Sequence, residues 1–305
     1  MYDVIIVGSG PAGMSAALYA SRANLKTLLL EKDLPGGQML NTELIENYIG
    51  ASSVNAIELA SRMSKNSREF GAEYKYGEIQ SIEKMESGLM KVIAGKKEYE
   101  AKVVIVATGT AHKILGVPGE LGLSGKGVSY CATCDGAFFQ NKEIAVVGGG
   151  DSALESALFL TQYGNVHLIH RREEYRAKPH LQELVKRNPK IKEILSSEVN
   201  EIIGSGGKVS EIKIVDTQLL TEKRLSVDGV FVNIGQLPQT KFLDKRILDK
   251  EGWIIVDNTY STEIEGLYAI GDVIQKDVRQ VANAVGDGSE VVHYVFQYIQ
   301  KQNMK

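Results

Sequence analysis

Cysteine is almost missing from this chain: its 305 residues hold only Cys131 and Cys134. One closely spaced pair cannot staple a fold, and a chain of this length can bury about two cores of ordinary domain size without staples. Long apolar runs are missing as well. None reaches the roughly 18 residues that a membrane-crossing helix requires. The opening MYDVIIVGSGPAG places an aspartate and then glycines where a secretory leader would be basic and then apolar. Nor is there an excess of positive charge. The 35 lysines and arginines against 38 acids leave a net charge of −3, which offers no concentrated field to hold DNA, RNA or an anionic membrane. These absences point to a cytoplasmic protein acting on small molecules or other proteins. In that compartment thiols stay reduced, and a CxxC pair serves catalysis or metal binding rather than structure.

What is present is an internal repeat. The stretch VIIVGSGPAGMSAALYASRANLKTLLLEK (4–32) aligns without a gap, at an offset of 140 residues, with IAVVGGGDSALESALFLTQYGNVHLIHRR (144–172). Each copy reads as a short β-branched strand, a glycine turn, a helix with apolar residues at helical spacing, and a second apolar strand. That order is the βαβ dinucleotide-binding unit. The predicted fold class is therefore α/β, with two Rossmann-like, three-layer dinucleotide-binding domains. After the first copy, an amphipathic stretch from about Val54 to Phe70 predicts a helix, and VVIVATGT (103–110) a buried strand. The segment ILGVPGELG (114–122) has the proline and glycine content of a connection between bodies. The last segment, LYAIGDVIQKDVRQ (267–280) and a predicted helix after it, resembles the first body more than the second. One domain is thus expected to be inserted in the other: a discontinuous first domain over 1–116 and 241–305, and a second over 117–240.

In GSGPAG, Gly8 permits the tight turn, Gly10 lets the main chain approach a pyrophosphate, and Gly13 lets helix and strand pack closely; Pro11 and Ala12 complete the turn. The helix N-terminus behind it supplies amide donors. Glu31, 23 residues beyond Gly8, ends the second strand. There a carboxylate accepts from both ribose hydroxyls and repels a 2′-phosphate. A glycine turn alone would leave a ligand-free reading open; strand, helix and acid together argue for a bound dinucleotide. In the second copy, GGGDSA has Gly148 and Gly150 in the same places, Asp151 and Ser152 opening the helix, and Ala153 where the third glycine stood. The offset sets Arg171 opposite Glu31. With Arg172 and Arg176 in HRREEYRA, cations replace the acid, and guanidinium groups suit a phosphate through paired hydrogen bonds. The pattern favours a 2′-phosphorylated ligand, NADPH over NADH, against the alternative of a solvated basic helix face. His170 is either a neighbour of the adenine or ribose or a surface residue.

Cysteines at this spacing place both sulfurs on one side of a helical turn, within reach of a disulfide that opens and closes. Zinc needs four ligands. With no second CxxC and no paired spacing among the five histidines, no metal is expected. Two inert buried thiols are the bland alternative. Asp135 argues against it, because a carboxylate beside the pair disfavours a lasting thiolate by like charge and suits delivery of a proton when a bond breaks. Trp253 and the remaining aromatics read as ordinary core or surface residues.

In this order and spacing, GSGPAG, PGGQ, ATG, CATCDG, GGGDSA, HRREEYRA and YAIGDV…RQ resemble the bacterial, low-molecular-weight thioredoxin reductases over essentially the whole chain. The resemblance implies a homodimeric flavoprotein with FAD on the first domain, NADPH on the second, and thioredoxin as the protein oxidant. By matching position, Gly8, Gly10, Gly13 and Glu31 would hold the FAD adenosine and pyrophosphate. Gly36, Gly37, Gln38, Thr42 and Asn47 would line the flavin side, with Ala107, Thr108 and Gly109 of ATG beside them. Gly271 and Asp272, with Arg279, Gln280 and Val281, would secure the ribityl chain and ring. Ile234 and Gly235 would join the second glycine turn at NADPH. Cys131 would attack thioredoxin, Cys134 would face the flavin, and Asp135 would donate the proton. The departures are that ENYIG lacks the usual proline before its glycine, and that Ser156 stands where an acid is common. Val291, Val292 and His293 also replace small residues, which puts the packing at the flavin's pyrimidine edge in question.

The implied activity is NADPH-dependent reduction of the thioredoxin disulfide through FAD and the Cys131–Cys134 pair. Because Cys134 lies ten residues before the strand at Ile144, disulfide and NADPH belong to one domain and the flavin to the other. The inserted domain is therefore expected to rotate about its connections, near 114–118 and 239–243. The competing readings are an NADPH- or ferredoxin-linked flavoprotein reductase of another thioredoxin-like or peroxiredoxin-linked carrier, and a non-catalytic flavin and dithiol redox sensor.

Overall fold

The computed structural model describes residues 1–42, 44–51 and 53–304. The chain divides into two units, one formed by Met1–Ala111 with Leu237–Lys305 and the other by His112–Gln236.

In the first unit, strand Tyr2–Val7 carries an unbroken apolar run from Val4 to Val7 because both of its faces are covered there. The strand pairs in parallel with Thr27–Glu31 on one side and with the far half of Lys97–Val106 on the other. Glu73–Tyr76 and Leu267–Ala269 extend the parallel pairing. Val4 and Ile6 pack among residues of the helices Pro11–Arg22, Ala56–Arg68 and Val281–Asn303. Ile5 and Val7 point the other way, to Ile82 and Val92 of the antiparallel strands Ile79–Lys84 and Met90–Ala94. The layers are thus helix, parallel sheet and antiparallel sheet. The amphipathic helix forms over Ala56–Arg68, and Asn55 sets its start by accepting from the Ile57 and Glu58 amides.

The second unit repeats the plan. Five parallel strands lie in the order Val128–Ser129, Gly229–Val232, Glu143–Val147, Asn165–Ile169 and Ile191–Ile194. Ile144 and Val146 face the helices Asp151–Leu160 and Pro179–Arg187. Ala145 and Val147 face the antiparallel sheet of Ser197–Ser205, Lys208–Asp216 and Glu222–Ser226. One detail departs from the gap-free alignment. Val7 sits opposite Leu30, but Val147 sits opposite Ile169, so the second connection is one residue shorter. The residue that follows in register, opposite Glu31, is therefore His170, and Arg171 falls one step beyond it.

The first and last helices of the first unit approach closely. A Cβ on Gly288 would lie 2.3 Å from the Ala12 carbonyl oxygen, whereas one on Gly286 would meet nothing within 4 Å. The Ser15 hydroxyl also donates to the Val285 carbonyl at 2.7 Å. Gly288→Ala is expected to cost about 2–3 kcal/mol, because main chain must move to admit the methyl group. Gly286→Ala should stabilise by about 0.5–1 kcal/mol through helix propensity. Urea unfolding of the two variants measures this contrast; equal effects would contradict the close approach. Among the described residues no helix is long and apolar enough to cross a membrane.

Candidate redox site and dinucleotide cradles

Ligands of parallel α/β sheets bind beyond the carboxyl ends of the strands, and both glycine turns leave their sheets there. At Gly8, with φ +101°, a Cβ would come 2.5 Å from the Ala107 carbonyl oxygen, and at Gly13 one would come 1.9 Å from the Gly8 carbonyl oxygen. Gly10 faces open space, as a main chain that receives a ligand must. The Ser9 amide and hydroxyl donate to one Glu31 oxygen at 2.7 and 3.0 Å. The other oxygen accepts from the Lys32 and Asp33 amides, so the acid is held against the turn. Gln38 donates to the Thr110 carbonyl at 2.9 Å and Asn47 to the Gln280 side chain at 3.1 Å. These bonds join the loop after Gly36 to the end of the ATG segment and to the start of the helix at Val281.

Among the described residues of this unit, two buried polar atoms lack a protein partner, Asp272 Oδ1 and Arg279 Nε. Burial raises the Asp272 carboxyl against the opposing pull of Lys276 and Arg279. An orphaned acceptor and donor, an open glycine and an acid at the strand end fit the hydroxyls and pyrophosphate of FAD. Trp253 has more to do than fill core: the Arg279 guanidinium lies 4.3 Å over its ring. Asp287 escaped sequence reasoning altogether. Its carboxylate accepts from the Gly271 amide at 2.8 Å and the Lys276 ammonium at 2.5 Å, fixing the loop that carries Asp272. Its one sequence signal was the GDG setting. Val291 and Val292 are buried in the helical layer, whereas His293 is exposed.

In the second cradle, a Cβ on Gly148 would lie 2.3 Å from the Asn233 carbonyl oxygen, and Gly150 faces open space. His170 lies beneath the turn rather than on the surface: a Cβ on Gly149 would strike its ring at 2.2 Å. Burial first, then the nearby arginines, lowers its pKa, so the imidazole is neutral at pH 7. The positive charge of the segment therefore resides on Arg171, Arg172 and Arg176, which are all exposed. The Arg176 amide donates to the Gly149 carbonyl at 2.8 Å. The Lys178 amide and ammonium reach Asp151 at 2.8 and 3.3 Å, and the amide bond is the main cause of Asp151's lowered pKa. The Asp151 carboxylate thus ties the arginine segment to the glycine turn, while Ser152 beside it is exposed. Gly235, at φ +115°, accepts from the Lys113 amide at 2.9 Å.

Cys131 and Cys134 form a disulfide. They lie at the short helical turn Ala132–Asp135, just after the edge strand Val128–Ser129 of the same sheet that carries the second glycine turn. Both are half-buried, and Thr133 between them is exposed. The Ser129 hydroxyl donates to the Asp135 carboxylate at 2.6 Å and accepts from the Cys131 amide at 3.1 Å.

Upstream, fully buried Glu120 accepts from the Leu115 and Gly116 amides and from the Tyr130 hydroxyl at 2.9, 2.8 and 3.0 Å. His112 stacks on Tyr130, with ring centroids 4.8 Å apart. Burial pulls the His112 imidazole down to about 4. The unfolded chain therefore binds the extra proton first, and stability should fall as pH drops from about 6.5 towards 4. The contribution is about 1–2 kcal/mol once partial exposure is allowed for. His112→Asn is expected to flatten this part of the pH dependence of urea unfolding; an unchanged slope would contradict it.

A reduced nicotinamide gives up electrons as a pair and a disulfide accepts a pair, so a dinucleotide-type glycine turn and a CxxC disulfide on one sheet suit nucleotide-linked disulfide chemistry. The chain belongs to the pyridine nucleotide-disulphide oxidoreductase family, whose model matches residues 2–288. Within it, the thioredoxin reductases of Listeria innocua and Bacillus subtilis are each 46% identical over 304 residues, covering 99% of this chain and 95% and 96% of theirs. The crystal structure of thioredoxin reductase from Streptococcus pyogenes, 46% identical, superposes with a TM-score of 0.94 over 99% of both chains.

Proposed function

We propose that this chain is an NADPH-dependent thioredoxin-disulfide reductase that uses FAD. The observation that carries the reading is the Cys131–Cys134 disulfide, with Asp135 beside it, on the sheet whose glycine turn is flanked by exposed arginines. Identity of 46% to thioredoxin reductases over nearly the full length supports the choice of partner. We assign the flavin domain to 1–116 and 241–305, and the NADPH and disulfide domain to 117–240. Gly10, Glu31, Asp272 and Arg279 would hold FAD; Gly150, Arg171, Arg172 and Arg176 would hold NADPH.

Bound FAD would supply the two-electron relay between the reduced nicotinamide and the disulfide. When the sulfur–sulfur bond takes up two electrons, the pair needs two protons to become a dithiol. Asp135 gives one and is reprotonated from solvent, which gives the other. Cys131 then attacks one sulfur of oxidised thioredoxin as a thiolate, and Cys134 closes the internal disulfide and releases the reduced partner. The balance is NADPH, a proton and oxidised thioredoxin giving NADP⁺ and reduced thioredoxin. Disulfide and nicotinamide site share one domain while the flavin cradle belongs to the other, which supports rotation of the inserted domain during turnover. We place the enzyme in the cytoplasm, where a reduced dithiol persists, and as a homodimer like the family it resembles.

The test is NADPH-dependent reduction of an artificial disulfide with and without thioredoxin. Sustained turnover that depends on thioredoxin is expected. A rate that thioredoxin does not raise would overturn the choice of partner, and a redox sensor would show no sustained turnover at all.

A further inference from the structure

Ser129 is the last residue of its edge strand and is only 6% exposed. Its oxygen accepts the Cys131 amide at 3.1 Å, and its own proton goes to Asp135 Oδ2 at 2.6 Å. One buried side chain therefore joins the main chain of the first cysteine to the acid behind the second. Buried hydroxyls need partners, and this one has committed both donor and acceptor to the redox loop rather than to a neighbouring strand. A hydroxyl bonded to a carboxylate at this distance is among the stronger hydrogen bonds. Asp135 itself is half-buried at the end of the four-residue turn Ala132–Asp135, so the bond ties the strand end to the turn that carries Cys134.

We propose that Ser129 is a positioning residue that holds the Asp135 carboxyl group at the disulfide. The proposal rests on the reading of Asp135 as the acid of the reaction. As the sulfur–sulfur bond breaks on uptake of the two electrons from NADPH, one proton leaves Asp135 for sulfur and the second comes from solvent. Ser129 gains and loses no proton; its O–H stays directed at the carboxylate.

The experiment is rapid mixing of the FAD-loaded enzyme with NADPH and then thioredoxin across neutral pH, using Ser129→Ala, Ser129→Thr, Asp135→Asn and the Ser129→Ala/Asp135→Asn double variant. NADPH-driven bleaching of the flavin, read in the same traces, should be unchanged in the two Ser129 single variants. Dithiol formation should slow about tenfold in Ser129→Ala, and Ser129→Thr should restore it. The double variant should be no slower than Asp135→Asn alone, because the serine acts only through the acid. Losses that multiply in the double variant, or equal losses in the alanine and threonine variants, would overturn the proposal. If the parent enzyme itself fails to bleach with NADPH, it is the functional reading that has failed.

Discussion

Replacing Cys131 with serine should abolish thioredoxin reduction while leaving reduction of the flavin by NADPH intact. A serine hydroxyl stays protonated at neutral pH and cannot displace a sulfur, so loss of the attacking thiolate should cost at least about 10³-fold in kcat. The two glycine cradles make their contacts without either cysteine: Glu31 bonds to Ser9, and Asp151 to Lys178. Nothing in the variant should therefore disturb cofactor or coenzyme binding. Because the chain has no cysteine outside this pair, thiol titration gives a direct control. The NADPH-reduced parent should release both thiols and the variant only the one at Cys134. Retained turnover with thioredoxin would remove Cys131 from the role of attacking group.

The second large effect concerns coenzyme choice. Exchanging Arg171 and Arg172 together for glutamine should raise the KM for NADPH about 10²-fold or more and leave that for NADH within about threefold. Each guanidinium bonded to a phosphate contributes roughly 1.5–3 kcal/mol, and about 1.4 kcal/mol is a factor of ten. The fold around them should survive. Both side chains are exposed, and the segment is pinned by main-chain and Asp151 bonds that neither residue supplies. Steady-state kinetics with both coenzymes at fixed salt decides the matter. Equal losses for NADH and NADPH would contradict recognition of the 2′-phosphate.

The strand, turn and helix of each copy could be read in advance because their causes are local. Gly13 must lack a side chain wherever a helix packs this close to the strand before it, and Asn55 caps the helix that starts beside it. The alignment failed at one point for an equally physical reason. Apolar periodicity fixes which residues form a strand but not its register, and a connection one residue shorter put His170, not Arg171, at the position equivalent to Glu31. The antiparallel layers that cover both sheets carry weaker patterns, since strands such as Glu222–Ser226 are mostly exposed.

Site residues divide in the same way. Cys131, Cys134 and Asp135 announce themselves by spacing. Asp287 and Trp253 acquire their roles through partners 16 and 26 residues away, Gly271 and Arg279, and no local pattern marks such pairs. Ser129 lies between these cases. It stands six residues from Asp135, but a serine at a strand end is too common to single out until its hydroxyl is seen bonded on both sides.

The central step is the passage of electrons from NADPH, through FAD and the cysteine pair, to thioredoxin. Anaerobic rapid mixing of the FAD-loaded protein with NADPH, followed by oxidised thioredoxin, tests that directly. The visible flavin absorbance is expected to fall on the first addition and return on the second. Absorbance that stays unchanged under excess NADPH, or that stays low once oxidised thioredoxin exceeds the remaining NADPH, would contradict it.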